Sequence, residues 1–597
     1  MKEHIENLTA GLWLGNLFKG TPILRFAPAL TRCPACGRRL KVEKTAGKKV
    51  VTLHIGAFKA RETILLCQKC KRTYGSEELQ KLKPAGGTFG YEVIVYVGRA
   101  MFQRFRNEKE IKQELAKKHV EISERGVSLL AKKFIVYLSL AHRESREKLK
   151  QLMQKNGGYI LHLDATREGG SPHLMSGLDG ITEIVLENVL LSSEKAEKII
   201  PFLRKIKELY GDPLALVHDM SKAILNAVRK IFPKIADFIR HFHFLADTGE
   251  DLFSKENDTI RKRLSNHGIQ GKLRKRALEF KKVIEEKPAL VELLLQSLKK
   301  KKIQKGMLDL MPAAAAYTVV QWAVAGKKQG NGYGFPFDRP YLTFYERLKV
   351  AHSMLIQLNS VKLRNERKDN RPYVKVIRDL YETMEDKVLR ITAKQMQEKT
   401  TVFDKFRGAI RVALPDGKRG LNDRGDKEDM RTIEKSVKEF CEWLSTDESF
   451  SDNEDYQKMI AQIKKYWKKL FSDPIIVDTP NGKIAIQPQR TNNILEQLFR
   501  QMKRIFRRQS GIKSLSKRMQ TILANTPYIK NLDKPEYMKI ILDGKKTLEE
   551  RFAEIDIKIV RKELLKLQQD SVKMPRAMKK IIKMPDLPES LVALFTN

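Results

Sequence analysis

The stretch NGGYILHLDATREGG, residues 156–170, decides the fold. A pair of glycines leads into a short apolar run that ends on one acid, Asp164, before glycines return. A short apolar run bounded by turn residues is typical of a buried β-strand. The next stretch, HLMSGLDGITEIVLENVLLS at 173–192, predicts two further strands separated by a turn at Gly177–Gly180.

Alternating elements continue toward the C-terminus. A helix is predicted at about 193–210, followed by an apolar strand, PLALVHDMS, that ends on Asp219. The helix SKAILNAVRKIF and a last strand, DFIRHFHFLAD, complete the pattern. Three strands, a helix, a strand, a helix and a strand follow one another in the order of an RNase H-like fold.

Two acids that close neighbouring strands indicate metal-dependent phosphodiester chemistry. Such chemistry uses two divalent ions about 3.5–4 Å apart, one at the attacking oxygen and one at the leaving oxygen. Mg²⁺ needs only a few carboxylates because it keeps most of its waters. Glu496, one turn into the basic helix of PQRTNNILEQLFRQMKRIFRRQSG (488–511), supplies a third carboxylate. Asn493 and Glu496 also have capping-box spacing, and an acid after a strand can simply cap a turn.

Four of the five cysteines form two Cys-x-x-Cys pairs. Cys33 and Cys36 lie in CPAC, and Cys67 and Cys70 lie in CQKC, with VVTLHI and ETILLC predicted as a hairpin between them. Paired thiolates on turns are typical of a structural zinc site with four sulfur ligands. A redox pair is the alternative. Cys441, in a helical stretch, is expected to be a buried small hydrophobe.

Residues 107–145 predict two helices joined by a short turn. Ile111 and Leu115 mark the apolar face of the first helix, and Ser123 is a candidate N-cap of the second. This outline is that of a helix-turn-helix. Its second helix carries the candidate DNA contacts, which are Arg125, Lys132 and Lys133.

The charge of the whole chain favours a polyanionic partner. The 597 residues include 115 Lys and Arg against 72 Asp and Glu, a formal net charge of +43. Charge repulsion on this scale is relieved when phosphates release their counterions on binding. The sequence has neither a bilayer-length apolar run nor a signal peptide at MKEHIENLTAGLWLGNLFKG. We therefore expect a cytoplasmic protein that binds double-stranded DNA.

The 276 residues between Asp219 and Glu496 exceed what a minimal RNase H-like core needs, and most of them predict helix. Trp322 is expected in a packed core, whereas the aromatic-glycine segment 331–337, with Tyr333, Phe335 and Phe337, is expected to be exposed. Residues 547–569 predict an amphipathic helix that either mediates self-association or packs on the core.

The motifs YILHLDAT, ALVHDMSKAILNAVRKIFP and RTNNILEQLFRQMKRIFRRQSG resemble those of the acidic-triad (DDE) transposases. The similarity is greatest to prokaryotic insertion-sequence and Mutator-like groups, which carry an insertion in the RNase H-like domain. The segment FIRHFHFLADTGEDL resembles their Cys-x-x-His segment, with His243 at the histidine position and Arg240 where the cysteine usually stands. The resemblance covers about 30–255 and 475–515.

The resemblance implies a DNA nuclease and strand transferase that acts on transposon ends and target DNA as a dimer or larger assembly. It implies Asp164, Asp219 and Glu496 as ligands of two Mg²⁺ or Mn²⁺ ions, beside one structural Zn²⁺, in a nucleoid-associated prokaryotic protein. His243 is a candidate DNA contact or simply a satisfied histidine. Further candidate phosphate contacts lie on the helix of Glu496: Arg500, Lys503, Arg504, Arg507 and Arg508.

The expected fold is multidomain, α/β plus all-α. The predicted order is a zinc ribbon (1–85), a helix-turn-helix region (86–150), a first core part (156–255), a helical insertion (256–475), a last core part with Glu496 (476–515) and a helical C-terminal tail (516–597). Two other functions fit the same motifs: a non-catalytic, transposase-derived DNA-binding regulator and an RNase H-like structure-selective nuclease.

Overall fold

The structure is a computed structural model that describes residues 21–286, 289–300, 311–362, 371–414, 427–489, 493–511 and 514–569, together with 580–582, 584, 585 and 587. It is a mixed α/β protein. Within the described residues, no helix is both long and apolar enough to cross a membrane. The predictions made for the first 20 residues and for most of the break at 415–430 fall outside the described residues.

The chain divides into two compact units. Unit 1 comprises Met1–Ala236, Ile476–Ile484 and Asn492–Asn597, and unit 2 comprises Asp237–Ile475 and Ala485–Thr491. The helical unit thus begins at Asp237, ahead of the predicted boundary at 255/256.

Unit 1 begins with a small sheet of four strands: β1 (Ile23–Phe26), β2 (Lys41–Thr52), β3 (Gly56–Leu66) and β4 (Thr73–Tyr74). β2 and β3 form the antiparallel hairpin expected between the cysteine pairs, β1 runs parallel to β3 on its other side, and β4 pairs with the end of β3. A short helix, α1 (Glu77–Leu82), packs Leu79 against Phe26, Val50 and Phe58.

Four helices follow: α2 (Tyr91–Phe102), α3 (Glu108–Ala116), α4 (Glu124–Glu144) and α5 (Arg146–Lys155). The two predicted helices correspond to α3 and α4. Asn107 and Glu110 form a capping box on α3, and the Ser123 side chain accepts the Gly126 N–H at the start of α4. α2, which the sequence analysis did not predict, packs closely on α4 because Gly98 has no side chain facing Phe134.

The next sheet has five strands, and the first four of them in the chain lie in unit 1. Its elements are β5 (Ile160–Thr166), β6 (His173–Asp179), β7 (Val185–Leu191), α6 (Ala196–Tyr210), β8 (Ala215–His218), α7 (Lys222–Ile231) and β9 (Ala236–Ile239). The strand order is β7-β6-β5-β8-β9, with β5–β6 and β6–β7 antiparallel and β5–β8 parallel. The predicted succession of strands and helices is therefore present in the chain.

Two details of that prediction were wrong. Gly177–Gly180 is not the turn, because β6 continues through Asp179. The buried Asp179 carboxylate accepts the N–H groups of Ile160, Ile181 and Thr182, which fixes the turn just after it. The last strand ends at Ile239, and the rest of DFIRHFHFLAD starts a helix whose buried positions follow three- and four-residue spacing.

Unit 2 is built of helices: α8 (His241–Asn266), α9 (Ile269–Glu286), α10 (Ala289–Lys300), α11 (Met311–Ala325), α12 (Pro340–Lys362), α13 (Arg371–Met384), α14 (Lys387–Ile410), α15 (Lys427–Thr446) and α16 (Glu454–Leu470). Trp322 is 41% exposed, so its predicted core position was wrong. The Arg347 guanidinium carbon lies 4.5 Å from the centroid of the Trp322 ring, and this cation–π contact stabilises the indole at the surface. In the aromatic-glycine segment, Tyr333 is exposed as predicted, but Phe337 is buried against Phe242, so the prediction was wrong for Phe337.

The chain then forms a hairpin, β10 (Ile475–Thr479) and β11 (Gly482–Ile486), before α17 (Asn493–Ser510). The remaining elements are α18 (Ser516–Gln520), a 3₁₀ helix (Thr526–Asp533), α19 (Pro535–Leu542), α20 (Leu548–Glu554) and α21 (Ile557–Gln569). The predicted helix at 547–569 is broken in two at Asp556, whose carboxylate accepts the Lys558 N–H at the start of α21. Phe552 and Val560 are buried in the core of unit 1, so this segment packs on the core.

Candidate metal and nucleic-acid sites

Asp164 and Asp219 lie side by side on neighbouring strands: Asp219 directly follows β8, but β5 continues for two residues past Asp164 to Thr166, so the prediction that this strand ends on Asp164 was wrong. The parallel register pairs Ile160 with Ala215 and His162 with Val217. Continuing it by two residues sets Asp164 beside Asp219, the first residue after β8. Because neighbouring strands are about 4.8 Å apart and residues in register point to the same face, both carboxylates belong to one face of the sheet.

Polar side chains continue this row across the sheet. Asp164 pairs with Ser176 on β6, and Ser176 pairs with Asn188 on β7. The Ser176 hydroxyl donates to the Asn188 side-chain oxygen at 2.7 Å. Ser176 and Asn188 were not among the predicted site residues, although their strand positions, opposite the acid, could have indicated them.

The backbone around the two acids is held in place locally. Asp164 is 7% exposed, and its carboxylate accepts the N–H of Ala165 at 2.8 Å. The imidazole Nδ1 of the buried His218 lies 2.7 Å from the carbonyl oxygen of Asp219. Asp219 itself is half-buried. The two carboxylates lie on one face of the sheet, and carboxylate oxygens are the ligands that Mg²⁺ prefers in proteins.

Glu496 lies in the first turn of α17. The apolar side of this helix, which includes Leu495, Leu498 and Phe499, is buried in the core of unit 1, and α17 contacts β5. Glu496 is half-exposed, and its carboxylate lies 3.9 Å from the Arg500 guanidinium one turn later. The side chain of Asn493, the other half of the predicted capping box, falls outside the described residues.

Glu168 joins α17 to the loop that follows β5. Its carboxylate lies 3.5 Å from the Arg507 guanidinium and accepts the Leu515 N–H at 2.8 Å. The Lys503 ammonium donates to the carbonyl oxygen of Arg167 at 3.3 Å. These bonds fix the helix of Glu496 against the strand of Asp164. The sequence gives no signal for Glu168, because its partners are more than 300 residues away.

The carboxylate oxygens of Asp164, Asp219 and Glu496 do not all lie within 4.8 Å of one another. Among the described residues, one group of three or more potential ligands has all its ligand atoms within 4.8 Å of one another, and it is the cysteine group. A single ion bound by all three acids would require their carboxylate oxygens to be equally close. Two ions about 3.5–4 Å apart, with ligands about 2.1 Å from each, allow the outer carboxylates to be up to about 8 Å apart.

The predicted DNA contacts have different exposures. Arg125, Lys132, Arg500, Arg504, Arg507 and Arg508 are exposed, and Lys503 is half-exposed. Lys133 is half-buried, and burial together with the charge of Arg561 on α21 lowers its pKa. His243 belongs to unit 2, where burial and then the charge of Arg240 lower its pKa to about 4. A neutral, mostly buried imidazole fits the structural interpretation of His243 better than a phosphate contact.

The four N-terminal cysteines form one cluster, and their sulfur atoms all lie within 4.8 Å of one another. The two turns that carry them have the same geometry. The N–H groups of Gly37 and Lys71 each donate at 2.8 Å to the carbonyl oxygen of the first cysteine of the pair, Cys33 and Cys67. Both of these donor residues have a positive φ, +70° at Gly37 and +56° at Lys71. Metal–sulfur bonds of about 2.3 Å in a tetrahedron give sulfur–sulfur distances of about 3.8 Å, so the cluster fits a four-thiolate zinc site.

The surroundings of the sulfurs also favour a bound cation. The Tyr74 hydroxyl lies 3.2 Å from the Cys33 sulfur, and this hydrogen bond lowers the pKa of Cys33 to about 6. The neighbouring sulfurs raise the pKa of Cys70 to about 12. Four adjacent thiols cannot all ionise without a positive charge between them. Cys441 lies apart from this group and is half-buried, and burial raises its pKa to about 11.

No family model and no curated protein sequence matches the chain. Among solved structures, it is similar to the Drosophila P element transposase strand transfer complex, with 11% sequence identity and a TM-score of 0.32. The similarity covers 79% of this chain and 96% of that chain. A TM-score this low does not establish a common fold.

Proposed function

We propose that the protein is a DNA transposase that cleaves transposon ends and joins them to target DNA by two-metal-ion chemistry. The observation that carries the proposal is the register of β5 and β8, which sets Asp164 beside Asp219 on one face of the five-stranded sheet. In this proposal, unit 1 contains an RNase H-like core, and unit 2 is an insertion between its second and third acids.

Asp164 is the central ligand because it lies in the middle strand, between β8 and β6. Together with Asp219 and Glu496, it would hold two Mg²⁺ or Mn²⁺ ions. The ions supply a positively charged site for the attacking and leaving oxygens of the phosphodiester. Glu168 is a positioning residue, because it holds α17, and with it Glu496, against the loop after β5.

DNA is the proposed partner because the chain has a formal net charge of +43. The exposed arginines of α17, among them Arg504 and Arg508, belong to the helix that carries Glu496 and are suited to hold the phosphates of the strand being cut. Because a transposon has two ends, we propose that the protein acts as a dimer or larger assembly. The proposed location is the nucleoid of a prokaryotic cell.

The test is DNA cleavage by the full-length protein with Mg²⁺ or Mn²⁺. The substrate is the DNA that flanks its own gene. Asp219→Asn removes one ligand charge, and Asp212→Asn, at an exposed residue before β8, is the matched control. We expect metal-dependent nicking at a repeat boundary by the wild type and the control, and none by Asp219→Asn.

Three other outcomes would contradict the proposal. Binding to the same DNA without cleavage by any of the proteins would indicate a non-catalytic regulator. Cutting of branched DNA without joining would indicate a structure-selective nuclease. Cleavage that persists in Asp219→Asn would place the reaction elsewhere in the chain.

A further inference from the structure

Two neighbouring rows on one face of the small N-terminal sheet are exposed, and all their charged side chains are positive. In one lateral row, Lys49 of β2 pairs with Lys59 of β3, which pairs with Ile23 of β1. In the next row, Gly47 pairs with Arg61, which pairs with Arg25. We call the four cations of these rows the basic face: Arg25, Lys49, Lys59 and Arg61, all of them exposed.

The opposite face of the same sheet is packed, and this fixes which side chains point outward. Phe26, Val50, Phe58 and Ala60 alternate with the basic residues along the strands and are buried against Leu79 of α1. Because side chains alternate between the two faces of a strand, the basic residues cannot turn inward without exposing this core.

The acid of β3 is on the packed side. Glu62 is 5% exposed, and its carboxylate accepts the Ser76 N–H at 3.1 Å and forms an ion pair with Lys48. The basic face has no acid in either row. In the part of the chain that the structure describes, none of its four cations forms an ion pair with a carboxylate. Lys49 and Lys59 are directly opposite each other, an arrangement that is destabilising for like charges.

We infer that the basic face binds the sugar–phosphate backbone of double-stranded DNA. Phosphates would relieve the repulsion between its rows, and each contact would release a counterion. Gly47 keeps the face flat beside Arg61, since a Cβ at this position would lie 3.0 Å from Cε of Lys59. The two cysteine turns add two further exposed cations to this small domain, Arg38 and Lys71.

This inference deepens the proposed function, because it assigns a DNA-holding surface that is separate from the acids. Contacts to phosphates fix the position of a protein on the duplex without reading its sequence. The basic face would therefore hold the zinc ribbon on any DNA, and its loss would weaken binding about equally for all sequences.

The test measures binding of a fluorescent duplex of about 20 base pairs by the full-length protein, without Mg²⁺, as a function of salt. The variant carries Arg25→Gln, Lys49→Gln, Lys59→Gln and Arg61→Gln. The control removes four exposed charges from unit 2: Arg378→Gln, Lys394→Gln, Lys435→Gln and Lys458→Gln. Zinc content and thermal unfolding are measured for all three proteins to confirm that the sheet is folded.

We expect the basic-face variant to lose at least about tenfold in affinity and its log–log salt slope to decrease by up to about 3.6, since each of four phosphate contacts contributes about 0.9. The control should lose less than half of that. An unchanged slope, or an equal loss in the control, would overturn the inference. So would a variant that binds DNA normally but aggregates, because lysines at sheet edges also prevent strand pairing between molecules. Loss of binding to anionic phosphatidylserine vesicles with intact DNA binding would overturn it too.

The two proposals fail in different ways. A wild-type protein whose binding depends on the basic face but which never cuts DNA would refute the proposed function alone. Cleavage by a basic-face variant that binds as tightly as the wild type would refute this inference alone.

Discussion

The side-chain amide of Asn531 lies across the backbone of Val185. It donates to the Val185 carbonyl oxygen at 2.9 Å and accepts the Val185 N–H at 2.8 Å. Val185 begins β7, which is the outer strand of the five-stranded sheet on this side. Asn531 therefore makes the two hydrogen bonds that a residue of a neighbouring strand would make. The C-terminal segment thus covers a sheet edge with which other chains could otherwise pair.

Asn531→Ala should destabilise unit 1 by about 2–4 kcal/mol, because it leaves two buried backbone groups without their partners. The measurement is urea unfolding together with light scattering, and the variant should also aggregate at lower protein concentration. Asn525→Ala, a few residues earlier, is the control. Equal stability of the two variants would show that water satisfies Val185 equally well.

His142 makes the stability of unit 1 depend on pH. Burial lowers its pKa to about 4, and its ring contacts the Tyr537 hydroxyl at 3.0 Å and the Leu186 carbonyl at 3.1 Å. Since the unfolded chain takes up this proton near pH 6.5, stability is complete above that value and is lost as the pH falls toward 4. The loss by pH 4.5 is about 2–3 kcal/mol.

His142→Gln should therefore be less stable than the wild type at pH 7.5, with a smaller further loss at pH 4.5. Urea unfolding of both proteins at the two pH values measures the difference. If the pH dependence is the same in both, the titration of His142 does not contribute.

Gly98→Ala should destabilise the packing of α2 on α4. A Cβ at this position would lie 2.1 Å from the Phe134 ring, and overpacking of this kind costs about 1–3 kcal/mol. Gly271→Ala, on the exposed side of α9 with open space around it, should instead stabilise unit 2 by up to about 1 kcal/mol. Calorimetry of both variants tests the opposite signs, and a stabilised Gly98→Ala would show that the helices can separate at no cost.

Cys67→Ser should abolish zinc binding and loosen the N-terminal sheet. The purified wild type should contain about one zinc per chain by chromogenic chelation, and the variant essentially none, because tetrahedral sites of this kind need all four sulfurs. Cys441→Ser, apart from the cluster, should retain the metal. A disulfide in the wild type without any metal would favour the redox interpretation of these cysteines.

Asp164→Asn should reduce DNA cleavage by at least about 100-fold, more than the effect of altering an outer-sphere partner of a metal site. DNA binding should be unchanged, because Asp164 is nearly buried and is not part of the exposed basic surfaces. Glu168→Gln should give a smaller loss, since it only loosens α17. Equal losses in the two variants would mean that Glu168 acts directly on the reacting groups.

Much of the fold was predictable because its signals are local. The apolar runs that end on Asp164 and Asp219 fixed two strands, and the caps at Asn107 and Ser123 fixed two helix starts. The cysteine hairpin was predictable in the same way, since the strands between the pairs alternate in the expected manner.

The rest depends on contacts between distant residues. The turn after β6 is set by the backbone groups that meet the Asp179 carboxylate, and nothing in GLDG distinguishes it from a turn of its own. Trp322 is exposed because Arg347, on another helix, covers its ring. Glu168 contacts Arg507 and Leu515, which lie near it only in the folded chain, so its role in holding α17 could not be predicted from the sequence.

The separation of Glu496 from Asp219 by 276 residues has a consequence for protein synthesis. A ribosome synthesises the cysteine cluster, the basic face and the strands with both aspartates long before it reaches Glu496. A polypeptide released early would carry the basic face but would lack the third acid and Asn531, which covers the edge of the five-stranded sheet. Under the proposed function, such a fragment would bind DNA without cutting it and would compete with the full-length protein for the same sites.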